Sequence, residues 1–112
     1  MKILVVEDEP IIAMLLRSLL RQHGHEVVGP FARLDRAQEA LKAHPIDLAL
    51  LDVQLGSDFV FPLAHELKRL GVAFIFLTGH DALALPPELR GAPSLTKPFR
   101  AAALMHAVDQ TG

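Results

Sequence analysis

The sequence predicts one α/β domain, a three-layer sandwich in which a parallel β-sheet is covered by helices on both faces. Three observations carry that expectation. Apolar runs (KILVV, HEVVGP, DLALLDV, VAFIFLT and SLT) alternate with segments of helical periodicity. The longer runs are continuously apolar, as strands buried on both faces are. The chain has 112 residues, enough for one core and too short for two. Right-handed crossovers then favour a doubly wound sheet of five strands.

Each element has its own justification. Residues 2–6 form a first strand that stops abruptly at Glu7-Asp8-Glu9. Pro10 suits the first turn of a helix, where a missing N–H is no loss. Ile12, Leu15, Leu16, Leu19 and Leu20 give that helix one apolar stripe, and Gly24 ends it. HEVVGP is a short second strand. LDRAQEALKAH is a second helix, apolar through Leu34, Ala37, Ala40 and Leu41 and stopped before Pro45. DLALLDV is the third strand. The helix after Gly56-Ser57-Asp58 turns Leu63, Leu67 and Leu70 inward and is capped by Gly71. VAFIFLT, residues 72–78, is the fourth strand. Pro86-Pro87 cannot lie inside a helix, so residues 81–93 predict a short or broken one. SLT is a brief fifth strand. FRAAALMHAVDQ is a last helix, with Phe99, Ala102, Ala103 and Met105 or His106 turned inward.

Composition excludes several classes. Apolar residues make up 51% of the chain, against disorder. No apolar run approaches the roughly 18–20 residues that span a bilayer, and no cleavage signal follows the N-terminus. The absence of cysteine removes disulfides and thiolate metal sites and makes the cytoplasm the default location. A net charge of −2 gives no basic footprint for nucleic acid. The six histidines are scattered without zinc spacing.

The polar residues at the strand ends are the informative ones. In a parallel sheet all strands end on one side, where ligands bind. There the first strand brings Glu7 and Asp8, the third Asp52, the fourth Thr78 and Gly79, the fifth Lys97. Asp52 alone reads as a turn-capping aspartate; in this company it reads as part of a polar pocket. Three carboxylates at close range raise one another's pKa values unless compensated. A hard divalent cation, Mg²⁺ above all, and Lys97 are the compensators at hand. Cation, ammonium, hydroxyl and carboxylate together describe phosphoryl transfer, with the carboxylate as nucleophile. Glu9 reads as an acidic helix start favoured by the dipole, and the phenylalanines as core.

At VVEDEP, LLDVQL, LTG and LTKPF, each at its own strand end, the sequence resembles the receiver domain of bacterial response regulators. The resemblance spans residues 1–112 and leaves no separate output domain. It implies a flavodoxin-like sheet of order 2-1-3-4-5. It makes Asp52 the phosphoacceptor. Mg²⁺ would be held by Asp8, Asp52 and the main-chain carbonyl of Gln54, with Glu7 acting through water. Thr78, Gly79, Lys97 and Val53 would bind the phosphoryl group, with Thr78 moving to report it, and the Lys97–Pro98 bond would be cis. Implied partners are a histidine kinase, a histidine phosphotransfer protein and a second copy of the chain. The domain would catalyse only its own phosphorylation and dephosphorylation, not turnover of an external substrate.

More narrowly, VVGP, DVQLG, FLTG and LTKPF resemble α-proteobacterial receivers, including single-domain ones with a Phe-x-Thr-Gly-Tyr motif. Two positions depart. His80 replaces the tyrosine, and Ser94 stands where many receivers carry an aromatic switch residue. Output then has to run through Thr78 and the segment from Gly79. The Gln54 side chain, at the entrance, is a candidate for tuning dephosphorylation. Two alternatives remain: a binding module of receiver fold that is never phosphorylated, and an aspartate-nucleophile Mg²⁺ phosphatase of the haloacid-dehalogenase type. The latter needs a second aspartate two residues after the nucleophile, where this chain has Gln54.

Overall fold

The computed structural model describes residues 1–79 and 85–111. Its main sheet holds β1 (Lys2–Val6), β2 (Glu26–Phe31), β3 (Leu48–Asp52), β4 (Ala73–Thr78) and β5 (Ser94–Thr96). All four pairings are parallel, and the order is β2-β1-β3-β4-β5. The helices are α1 (Pro10–Gln22), α2 (Leu34–Ala43), α3 (Phe61–Leu70) and α4 (Ala101–Thr111). The expected sandwich and strand order are therefore present.

Alternation along each strand sorts the core into two layers. Ile3, Val5, Leu48, Leu50, Ile75 and Leu77 pack with Leu16 and Leu20 of α1 and with Leu104, Met105 and Val108 of α4. Leu4, Val6, Ala49, Leu51, Phe74 and Phe76 pack with Ala37, Ala40 and Leu41 of α2 and with Leu63, Ala64 and Leu67 of α3. Each face of the sheet thus has its own pair of helices, so neither strand face can be polar. That is why the runs are continuously apolar.

Several inward assignments are corrected. Leu15 is exposed, and α1 buries Ala13, Leu16 and Leu20, a narrower stripe. Leu70 is exposed, one step past the buried Leu63-Leu67 row. On α4 the side chains of Ala102, Ala103 and His106 face solvent. Larger Leu104 and Val108, four apart, take the core with Met105. Pro87–Leu89 forms a single 3₁₀ turn; residues 81–84 of the expected fourth helix, and His80 before them, lie outside the described residues. The short antiparallel ribbon of Gln54–Leu55 with Asp58–Phe59 is unanticipated.

The end of β2 carries an extra residue. Leu4 pairs with Val28 but Val6 with Phe31, a bulge that lets the Phe31 carbonyl accept the Glu7 N–H at 2.9 Å. Gly29 makes the bulge feasible: its φ is +108°, and an added Cβ would lie 2.8 Å from the Val5 carbonyl oxygen. Gly29→Ala is expected to lower the unfolding free energy by about 2 kcal/mol or more, read by urea denaturation; a change within about 0.5 kcal/mol would contradict this reading. Both Gly29–Pro30 and Lys97–Pro98 are cis, the second as expected.

Candidate functional site

Four strand ends deliver the site. Glu7 leaves β1 and is buried, its N–H held by β2. Asp52 ends β3 opposite Leu77 and is only 8% exposed. Asp8, half-buried, accepts the Gly56 N–H on Oδ2 at 3.0 Å. Thr78 ends β4, and its carbonyl accepts the Lys97 N–H at 2.8 Å, extending the β4–β5 ladder by one step to Lys97.

The Lys97 ammonium sits among the acids. Its Nζ lies 2.6 Å from Glu7 Oε1, 3.3 Å from Asp52 Oδ2 and 3.5 Å from Glu9 Oε1. Glu7 Oε1 is fully buried and makes no directed hydrogen bond, so the ion pair is what compensates it. Asp8, Asp52, Val53, Gln54, Thr78, Gly79 and Lys97 line one cleft of about 340 Å³, with Glu7 as a buried neighbour of Lys97. The predicted site residues thus come together. A cleft of similar volume around Lys68, Phe74 and Leu89 is largely apolar and gathers no set of carboxylates.

Three residues of the cleft escaped the sequence reading: Glu9, Gly56 and Phe59. Glu9 occupies the N-cap position of α1, but its side chain makes no capping bond; it turns to Lys97 instead. Gly56 anchors Asp8 through a backbone N–H, a contact with no side-chain signature. Phe59 stacks on Phe61 at 5.3 Å rather than entering the core. Two expectations are also qualified. The Gln54 side chain donates to the Gly56 carbonyl at 3.1 Å, so it is tied into the ribbon instead of projecting freely at the entrance. The Val53 N–H donates to the Leu77 carbonyl at 3.2 Å and meets a phosphoryl oxygen only by giving up that bond.

Burial, then the neighbouring Glu7 carboxyl, pushes the Asp52 carboxyl up to about 7, against the pull of Lys97. Burial draws the Lys97 ammonium down, but Glu7 and Asp52 outweigh it and the net displacement is upward. Formally, Glu7, Asp8 and Asp52 bring three negative charges against the single positive charge of Lys97. Oxygens of Glu7, Asp8 and Asp52 lie within 4.8 Å of one another. An all-oxygen set with excess negative charge fits a hard divalent cation.

The raised Asp52 pKa has a signed consequence for stability. Below about pH 4 the carboxyl is protonated in both folded and unfolded chains, so the stability is at its full value and does not vary with this group. Between about pH 4 and about pH 7 the folded chain holds the proton more tightly, so stability falls as pH rises; above about 7 the loss is complete. Without divalent cation, urea denaturation is expected to show this fall, of the order of a few kcal/mol. Mg²⁺, or Asp52→Asn, should flatten it. A flat profile for the metal-free chain would contradict the assignment.

The family model for the response regulator receiver domain matches residues 3–109. The transcriptional regulatory protein PdtaR of Mycobacterium tuberculosis is 30% identical over 112 residues, which cover 96% of this chain and 55% of PdtaR. The chain spans about half the length of the curated relatives it matches. Among solved structures, SdrG from Sphingomonas melonis Fr1 superposes with a TM-score of 0.85 at 34% identity, covering 96% of this chain and 92% of SdrG. The response regulator TrrA from Thermotoga maritima, solved in complex with Mg²⁺-BeF, gives 0.84 at 26% identity, covering 97% and 96%. Among the described residues no helix is long and apolar enough to cross a membrane.

Proposed function

The chain belongs to the response regulator receiver family, and from that premise we propose that it accepts a phosphoryl group on Asp52 and signals by protein contact. One observation carries the reading: Glu7 and Asp8 from the end of β1, Asp52 from the end of β3 and Lys97 from the end of β5 converge at a single cleft that Asp52 lines. The donor is the phosphohistidine of a histidine kinase or of a histidine phosphotransfer protein. An Asp52 carboxylate oxygen attacks phosphorus, the P–N bond breaks, and the imidazole nitrogen keeps the electron pair and takes up a proton. The product is an aspartyl phosphate.

Asp8, Asp52 and the Gln54 main-chain carbonyl would hold Mg²⁺, with Glu7 acting through water. When bound, the cation neutralises charge on the transferring oxygens and lets Asp52 ionise. Lys97 exchanges its Asp52 contact for a phosphoryl oxygen, while the Thr78 hydroxyl and the Gly79 N–H donate to the others. The new group adds about −1.5 to −2 charge and three acceptor oxygens. Thr78 and Lys97 follow it, and the segments attached to them bias the surface between two arrangements. Ser94 is exposed at the start of β5, so this output needs no aromatic rotation. The partners are a kinase, a phosphotransfer protein and a second copy of the chain, met in the cytoplasm, and the domain turns over no external substrate. The narrower assignment, to the α-proteobacterial type, rests on VVGP, DVQLG, FLTG and LTKPF.

Incubation with acetyl phosphate and Mg²⁺, followed by mass-spectrometric mapping, tests the reading. Phosphate on Asp52 is the expected outcome. No incorporation would support a binding module, and turnover of small phosphate esters would support a hydrolase.

A further inference from the structure

We infer that Glu9 is a positioning residue that holds Lys97 toward the cleft mouth and makes the site discriminate against free, multiply charged phosphodonors. The inference rests on the phosphoacceptor reading above and adds a selectivity to it. An acid at a helix start suits the dipole, but the Glu9 side chain makes no capping bond and is directed to Lys97 instead. Glu9 stands at the N-cap of α1. Its own N–H donates to Glu7 Oε2 at 3.1 Å, which fixes its backbone beside the buried acid. Its carboxylate reaches back to Lys97 Nζ at 3.5 Å while remaining 60% exposed.

Charge balance gives this placement a consequence. With a divalent cation in place, the formal charges of Glu7, Asp8, Asp52, Lys97 and the cation cancel. Glu9 is the next acid outward, and it tips the cleft mouth to net negative. A solvent-facing charge at that position repels an incoming dianion such as acetyl phosphate, and the repulsion weakens with added salt. Phosphoramidate carries less net charge and is repelled less. A phosphohistidine delivered on a protein surface brings neighbouring groups of its own and escapes most of the penalty. Glu9 also competes with the phosphoryl oxygens for Lys97, so the lysine is delivered to a donor only when that exchange is favourable.

The test compares wild type, Glu9→Gln and Glu9→Asp, each as the full chain in saturating Mg²⁺. Initial rates of Asp52 phosphorylation are measured with acetyl phosphate and with phosphoramidate, at low and high salt. Glu9→Gln is expected to raise the second-order rate with acetyl phosphate about three- to ten-fold at low ionic strength, shrinking toward unity near 1 M salt. The gain with phosphoramidate should be smaller, and Glu9→Asp, which keeps the charge, should stay near wild type. Beryllofluoride binding, followed by the ¹⁹F resonance of the bound anion, should tighten in Glu9→Gln, a readout independent of turnover. A Glu9→Gln rate equal to or below wild type, or a gain that ignores salt, overturns the inference. A wild-type chain that takes no phosphoryl group at Asp52 overturns the phosphoacceptor reading and the inference with it. Phosphorylated wild type with an indistinguishable Glu9→Gln overturns the inference alone.

Discussion

Asp52→Asn is expected to reduce phosphoryl incorporation by at least about a thousand-fold, with acetyl phosphate and with a phosphorylated kinase alike. The amide has almost the same shape, so the loss isolates the nucleophilic oxygen. The same substitution should make the metal-free chain more stable at neutral pH, by the order of 1–3 kcal/mol. That sign follows from the site: Asp52 is a buried carboxyl beside Glu7, held up to about 7 by burial first and by Glu7 next. A purely structural aspartate would behave the other way, because replacing it would cost stability and leave uptake intact. Intact-protein mass spectrometry and urea denaturation of the same preparation check both signs. Incorporation at wild-type level, or a destabilised variant, would contradict the assignment.

Lys97→Met should show the second large effect. Lys97 is the ion-pair partner of Glu7 Oε1 at 2.6 Å, and the Glu7 side chain has no exposure at all. Removing the ammonium leaves a buried carboxylate uncompensated, which costs about 3–5 kcal/mol. Methionine retains most of the stem, so lost packing contributes little. Because a divalent cation would supply the missing positive charge, Mg²⁺ should return a substantial part of that loss. Lys97→Arg should not restore phosphorylation, since a planar guanidinium cannot replace a compact charge among three acids. Urea denaturation with and without Mg²⁺ measures the effect. A loss below about 1 kcal/mol would mean that Glu7 finds its compensation elsewhere.

Much of this arrangement was legible because of where apolar runs stop. KILVV gives way to Glu7-Asp8, and DLALL gives way to Asp52, at ends that a parallel sheet must place on one side. Lys97 was legible because SLT is a strand, however brief. Glu9 was not, because an acid at a helix start is ordinary and only its missing cap bond reveals another use. The Gln54–Phe59 ribbon has strands of two residues, too short for any periodicity to register. Gly56 anchors Asp8 through its backbone, which no side chain announces. Spacing alone turns Leu15 and Leu70 inward, whereas helix rotation is set by contacts from the sheet, which leave both exposed. The β2 bulge left only VVGP as a trace, and its value lies in a hydrogen bond to Glu7 that spacing cannot predict.

The central claim is that Glu7, Asp8 and Asp52 form one cation site beside a phosphoryl-accepting oxygen. The most direct measurement is a Mg²⁺ titration followed by beryllofluoride, read from assigned amide resonances of wild type and Asp52→Asn. The account predicts that Mg²⁺ shifts Asp8, Asp52 and Gln54, and that beryllofluoride then shifts Thr78, Gly79 and Lys97 in wild type only. Resonances of Asp8 and Asp52 that stay in place at millimolar Mg²⁺, or a beryllofluoride response that survives in Asp52→Asn, would contradict it.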